Sequence, residues 1–206
     1  MTRKLKALGL ALVAVFAMSA LSAASASAIE FHSAVAHTEL RAEQHAGEDT
    51  FTVNAGTVRC SHVTYAGTES FATSSFQTVT PTYTGCRAFG FVSTTIDTNG
   101  CSFHFSSNGQ SFSIFCGAGN PMAVTAFNCW VTVGTQLNAG FVVHTNQGGT
   151  PIDVTVDMNI TGIKYTQHSK SFPGCTNGTF TNGTYTGSAT MQGFNTVGEQ
   201  IGIWVE

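Results

Sequence analysis

The chain has 206 residues, of which only 9% are charged and 42% are apolar. A mean hydropathy of +0.12 is too low for a protein with several membrane spans. Intrinsic disorder is also excluded, because 16 Phe, 4 Tyr and 2 Trp supply abundant apolar surface to bury. Thr, Ser and Gly take the place of the missing charged residues, which predicts a folded protein with an uncharged polar surface.

The first 28 residues have the three parts of a secretory signal peptide. Arg3, Lys4 and Lys6 precede an apolar run over residues 7–21, and small residues follow as far as Ala28. The run is shorter than the ~20 residues that span a bilayer, which disfavours the alternative of an N-terminal membrane anchor. We therefore predict cleavage after Ala28, leaving one secreted extracellular domain over residues 29–206.

Removal of the signal peptide makes the chain more acidic. Residues 29–206 carry five basic and eleven acidic side chains, a net charge of about −6. Nucleic acids and anionic membranes bind clustered Lys and Arg, and the mature sequence contains no basic run. Neither nucleic acid nor, after signal cleavage, a membrane is therefore expected as a partner.

The six cysteines all follow the signal peptide. An even number of cysteines in an exported chain predicts three disulfides, and no C-x-x-C pair indicates zinc binding or redox chemistry. The sequence leaves every connectivity open among Cys60, Cys86, Cys101, Cys116, Cys129 and Cys175.

Short Thr-, Val- and Phe-rich runs between glycines predict an all-β fold, an antiparallel β-sandwich of about 10–12 short strands. In residues 152–160 every even position is apolar, which indicates a strand with one face on a core. Residues 122–133 are apolar at both parities, which predicts a strand deep in a sheet. Three Thr-Tyr-x-Gly repeats, at 64–67, 82–85 and 184–187, predict strand ends.

The clearest turn signal is Asn108-Gly109, midway between two alternating runs. Asn-Gly adopts the positive φ angles of a two-residue hairpin turn. Pairing outward from this turn places Cys101 opposite Cys116. A direct disulfide between them is one outcome, and a bond from either cysteine to a facing sheet is the other.

Residues 34–46 are rich in helix-favouring residues but lack an apolar helical stripe. We favour a strand, which places His37, Glu39, Arg41, Glu43 and His45 on one face. Imidazole and carboxylate groups suit zinc, so His37, Glu39, Glu43 and His45 are a candidate metal site. The favoured alternative is a solvated face whose charges pair with a neighbouring strand. No cofactor is expected.

Tyrosine tolerates one solvated edge, so the four tyrosines are candidates for a glycan-binding face: Tyr65, Tyr83, Tyr165 and Tyr185. The alternative is that each lies half-buried at a strand end. The sequence contains no nucleophile elbow, H-E-x-x-H or phosphate-loop motif, and no catalytic residue is assigned.

The start of the mature chain, Phe31-His32-Ser33, and residues 51–60, 80–86, 125–129 and 161–166 resemble a group of uncharacterised exported proteins of soil actinobacteria. The resemblance rests on Cys and turn residues and spans most of the mature chain. It implies export and a β-rich fold linked by disulfides, and no particular activity. Residues 34–44 depart from the group, because they are more charged and less rich in Thr.

These features favour a secreted, non-enzymatic structural or adhesion-type protein of bacterial origin. Its expected partner is a cell-wall polysaccharide or a second copy of the chain. The alternative is an extracellular module that binds a carbohydrate or another small ligand. A secreted hydrolase with dispersed catalytic residues is the third hypothesis.

Overall fold

The computed structural model describes residues 28–137, 140–170 and 174–206. All but the last residue of the predicted signal peptide lies outside these ranges. The described chain contains no helix and forms seventeen strands, whose pairings are all antiparallel. The predicted all-β class is therefore confirmed. None of the described residues belongs to a helix capable of spanning a membrane.

The strands in chain order are β1 (Phe31–Ser33), β2 (Thr38–Gln44), β3 (Asp49–Val53), β4 (Gly56–Glu69), β5 (Thr73–Ser74), β6 (Phe76–Ala88), β7 (Val92–Ser93), β8 (Thr95–Asp97), β9 (Ser102–Ser106), β10 (Phe112–Phe115), β11 (Met122–Ala126), β12 (Cys129–Val133), β13 (Gly140–Gln147), β14 (Asp153–Ser169), β15 (Gly178–Phe194), β16 (Gln200–Ile201) and β17 (Ile203–Val205). Four of them, β4, β6, β14 and β15, are 13 to 17 residues long.

The expected number of about 10–12 strands is therefore too low, and the expectation of short strands fails for these four. Glycines that suggested strand ends lie inside the long strands, as Gly67, Gly85 and Gly187 do in β4, β6 and β15. Gly162 shows how a strand continues through a glycine. It adopts φ +75° at a β-bulge between Thr161 and Ile163, and the pairing of β14 with β15 resumes after it.

Fourteen strands form one large sheet, whose main path runs β10-β9-β6-β4-β2-β15-β14-β12-β11-β8. Strands β17, β1 and β5 form a separate small sheet. The large sheet curls so that its two ends meet: Phe112 and Ile114 of β10 line the same interior cavity as Met122 and Val124 of β11. Its two halves thus pack face to face around one core, in the manner of a sandwich.

Two local strand predictions are confirmed. In β14 the even positions from Val154 to Ile160 are at most 3% exposed, although Ile152, where the predicted strand begins, precedes β14 and is 37% exposed. In β2 the side chains of Leu40 and Ala42 are buried, whereas Arg41 and Glu43 face solvent. Since β2 lies between β4 and β15, the charged segment forms a strand inside the large sheet over Thr38–Gln44, and His37 and His45 lie just outside it.

The single strand expected over residues 122–133 is a hairpin instead. Strands β11 and β12 pair from Met122–Val133 to Ala126–Cys129, and Phe127 and Asn128 form the turn. Phe127 adopts a positive φ of 52° there. A two-residue turn shifts the inward positions from even to odd numbers, which explains why the sequence is apolar at both parities.

All six cysteines form disulfides: Cys60–Cys86, Cys101–Cys116 and Cys129–Cys175. Cys60 and Cys86 are direct partners in the β4–β6 register. Strands β9 and β10 pair in the register that the Asn108-Gly109 turn predicts, with Phe105 opposite Phe112, and their flanking cysteines are joined. Three disulfides indicate that the protein folds in an oxidising compartment.

Candidate functional site

The outer side of β4 and β6 carries six threonines, which we call the threonine face: Thr64, Thr68, Thr78, Thr80, Thr82 and Thr84. Over residues 62–69 of β4 and 76–84 of β6 the even positions point outward, because odd positions such as Val63 and Val79 are buried in the core. Thr64 lies directly opposite Thr82 in the β4–β6 register.

The threonine face forms a regular array of hydroxyl and methyl groups. Neighbouring strands are about 4.8 Å apart, and alternate residues of a strand about 6–7 Å apart. Thr78 contacts the His104 ring nitrogen at 3.3 Å, and Thr84 donates to the His62 carbonyl at 3.3 Å. The hydroxyls of the other four threonines have no hydrogen-bond partner among the described residues, so they are available to water or to a ligand.

Three charged residues of β2 lie beside this face, Glu39, Arg41 and Glu43, and the first two neutralise each other. The guanidinium of Arg41 donates two 2.9 Å hydrogen bonds to the Glu39 carboxylate. These bonds lower the pKa of Glu39 and raise the pKa of Arg41. Glu43, opposite Thr64 in the β2–β4 register, forms no ion pair among the described residues, so the edge of the threonine face at β2 carries about one net negative charge.

The candidate metal ligands do not converge. Glu39 is held by Arg41, and the Nδ1 atom of His45 bonds the Thr190 hydroxyl at 2.8 Å. His37 precedes β2 in a left-handed conformation with φ 58°. Nowhere in the described part of the chain do three or more His, Cys, Asp or Glu side chains lie together as a metal site. The face is solvated, and its ion pair between Glu39 and Arg41 lies within β2 and does not reach a neighbouring strand.

The four tyrosines lie inside the protein and not on an exposed platform. Tyr65, Tyr165 and Tyr185 are 1–6% exposed, and Tyr83 packs against the core. The side chains point inward because they occupy odd positions, next to outward threonines. The flat, exposed glycan-binding face expected of these residues is therefore not formed.

Three of these tyrosines converge on Asp49, which is 2% exposed. The hydroxyls of Tyr65 and Tyr185 donate to its Oδ2 atom at 2.7 and 2.6 Å. The Tyr83 hydroxyl lies 3.5 Å from that of Tyr185. Burial raises the pKa of Asp49, and the tyrosine hydrogen bonds oppose this rise. We call these four residues the Asp49 cluster.

The Asp49 cluster was missed at the level of sequence, although its signal is present. Its three tyrosines are the second residues of the three Thr-Tyr-x-Gly repeats. The fourth tyrosine, Tyr165, has a separate role: its hydroxyl accepts the N–H of Asn54 at 2.8 Å and donates to Asn182 at 3.1 Å. All four tyrosine hydroxyls thus act within the structure.

Two concave regions differ in size and chemistry. An interior apolar cavity of about 30 Å³, lined by residues such as Phe51 and Phe103, has room only for water-sized molecules. An open polar groove of about 310 Å³ lies over the outer side of β12 and β14. The groove alone reaches the range of ~300–1,000 Å³ that is usual for small-ligand sites.

No protein-family model, curated protein or solved structure matches the chain. The assignment of a function therefore depends on the threonine face, the Asp49 cluster and the polar groove themselves.

Proposed function

We propose that this chain is a secreted, non-enzymatic structural or adhesion-type protein that binds a cell-wall polysaccharide through its threonine face. The observation that carries the proposal is the set of outward hydroxyls on β4 and β6, four of them without a partner in the described chain. The three disulfides and the signal-like N-terminal sequence support export.

A repeating array favours a repeating ligand. A hydroxyl both donates and accepts, so each threonine can bond a sugar hydroxyl in either direction. A single such bond contributes only about 0.5–1.5 kcal/mol, and several along one polymer chain add up to useful affinity. The edge at β2 carries one unpaired charge, that of Glu43, which adds no strong repulsion toward a neutral polysaccharide.

The test is retention of residues 29–206 on purified bacterial cell-wall material. Thr80→Lys and Thr82→Lys each replace a central hydroxyl of the face with a bulky charge. We expect each substitution to reduce retention about two- to tenfold, the equivalent of one hydrogen bond. Thr196→Lys is the matched control, because it adds the same charge at an exposed turn position away from the face.

Equal retention of all three variants and the unsubstituted protein would remove the threonine face as the binding surface. Sedimentation velocity of the same proteins tests the other expected partner, a second copy of the chain, by measuring whether the protein is a monomer or a dimer. A dimer that Thr80→Lys dissociates, without retention on the wall material, would assign the face to self-association.

A further inference from the structure

The polar groove over β12 and β14 lies on a different part of the large sheet from the threonine face. Thr132 and Thr166 face each other on its floor, where β12 pairs with β14. Lys164 and the segment containing Thr135 and Gln136 form its sides. Strands β2 and β15 separate β14 from β4, so a ligand in the groove does not touch the threonine face.

The sides of the groove are held in place before any ligand arrives. The Gln136 side-chain amide donates to the Lys164 carbonyl at 3.2 Å and accepts the Lys164 N–H at 2.9 Å. The Thr135 hydroxyl accepts the Cys116 N–H at 2.9 Å and donates to the Cys116 carbonyl at 3.2 Å. A ligand therefore does not have to order these side chains, which lowers the entropic cost of binding.

One lysine, Lys164, lines the groove of an otherwise acidic protein, and the second lies further along the same side of the sheet. Lys164 and Lys170 are the only two lysines in residues 29–206. Both are exposed on the outer side of β14 or just beyond its end, and neither forms an ion pair with a carboxylate of the described residues. The nearest acid by register is Asp97 of β8, two strands from Thr132.

Aromatic packing fixes the second lysine, Lys170, which lies outside the groove, about 20 Å from Lys164 along the direction of β14. Trp130 precedes Thr132 by two residues on the same face of β12, and its ring stacks on the His168 ring with centroids 5.1 Å apart. The Lys170 ammonium lies 5.6 Å from the centroid of Trp130. The disulfide Cys129–Cys175 secures the start of the same strand.

We propose that this groove binds a carboxylate-bearing saccharide, such as a uronic acid unit of an acidic polysaccharide. The threonine hydroxyls on the floor suit sugar hydroxyls, the Lys164 ammonium suits a carboxylate in the groove, and Lys170 suits a carboxylate on a unit further along the same saccharide. A volume of about 310 Å³ fits a short saccharide segment. Two lysines are too few for the many phosphate contacts that nucleic acid binding requires.

The test is calorimetric titration of residues 29–206 with oligogalacturonate, with neutral dextran oligomers as the comparison. We expect saturable binding of oligogalacturonate that weakens as salt is raised. The double variant Lys164→Gln/Lys170→Gln is expected to bind at least about tenfold more weakly, because two charge-assisted contacts are lost. Arg87→Gln, which removes an exposed positive charge on β6, is the matched control and keeps the affinity.

A second measurement locates the ligand. In the variant Trp204→Phe, Trp130 is the only tryptophan left in the chain, and its fluorescence should change on titration with oligogalacturonate. Absence of binding, equal binding of dextran, or unchanged affinity of the double lysine variant would overturn the proposal. Thr80→Lys, which alters the threonine face, should leave the affinity for oligogalacturonate unchanged. The proposal for the groove and the proposal for the threonine face can therefore fail independently.

Discussion

The hydroxyl of Tyr185 donates a 2.6 Å hydrogen bond to the Oδ2 atom of Asp49 in the protein interior. Tyr65 donates to the same oxygen at 2.7 Å. Burial raises the pKa of Asp49 because a carboxylate is poorly solvated inside the core, and the tyrosines partly offset that cost. Since Tyr65, Tyr185 and Asp49 lie on β4, β15 and β3, this contact ties three strands of the large sheet together.

Removal of the Tyr185 hydroxyl should therefore destabilise the fold. We expect Tyr185→Phe to lower the free energy of unfolding at pH 7 by about 1.5–3 kcal/mol, the usual contribution of a hydrogen bond to a charged group. Urea denaturation measures the loss. At a pH below the usual range of aspartate the loss should be smaller, because a protonated Asp49 accepts a weaker bond. An equal loss at both pH values would contradict an ionic role for Asp49.

The features that could be predicted from the sequence are local ones. The alternation in residues 152–160 and the Asn108-Gly109 turn each involve neighbours in the chain, so the first half of strand β14 and the β9–β10 register followed directly. The outward threonines of β6 follow the same period of two. The Phe127-Asn128 turn was missed because its first residue is an aromatic one with no turn preference, although its φ is positive.

The Asp49 cluster and the polar groove could not be predicted in the same way. Asp49 meets Tyr185 across 136 residues, and Gln136 meets Lys164 across 28. Such contacts depend on the order and register of strands in the sheet, which side-chain periodicity does not encode. The inward orientation of the tyrosines follows from that register as well.

Glu69 should make the stability of the protein depend on pH. Burial raises its pKa from 4.5 to about 7, and a hydrogen bond with Ser74 opposes the rise. The folded state therefore holds this proton more tightly than the unfolded state does. The resulting stability is fully present below pH 4.5 and is lost as the pH rises through about 7.

Urea denaturation at intervals between about pH 4 and about pH 9 tests this expectation. Glu69→Gln cannot ionise, so its free energy of unfolding should fall less over this range than that of the unsubstituted protein. Glu43→Gln, at an exposed position of β2, is the control and should retain the full dependence. Identical pH profiles for Glu69→Gln and the unsubstituted protein would contradict the role of Glu69.

The three disulfides should contribute to stability in the order of the loops they close. The joined cysteines are 15 residues apart for Cys101–Cys116, 26 for Cys60–Cys86 and 46 for Cys129–Cys175. The chain-entropy relation gives about 3, 3.5 and 4 kcal/mol for these loops. We expect replacement of each cysteine pair by alanines to lower the free energy of unfolding, measured by urea denaturation, in this order. The reverse order would show that native-state packing outweighs loop closure.

Gly109 should tolerate no side chain. It adopts φ +67° in the β9–β10 turn, and its carbonyl accepts the N–H of Val142 at 3.0 Å. A Cβ atom at this position would overlap the Val142 carbonyl oxygen, whereas at Gly117 the nearest atom would be 3.7 Å away and the backbone is unstrained. We expect Gly109→Ala to lower the free energy of unfolding by at least about 1–2 kcal/mol and Gly117→Ala to change it by less than about 0.5 kcal/mol. Both glycines flank β10, so comparing the two variants by urea denaturation separates the effect of the turn from a general loss of glycine flexibility. Equal losses of unfolding free energy in the two variants would contradict the required left-handed conformation at Gly109.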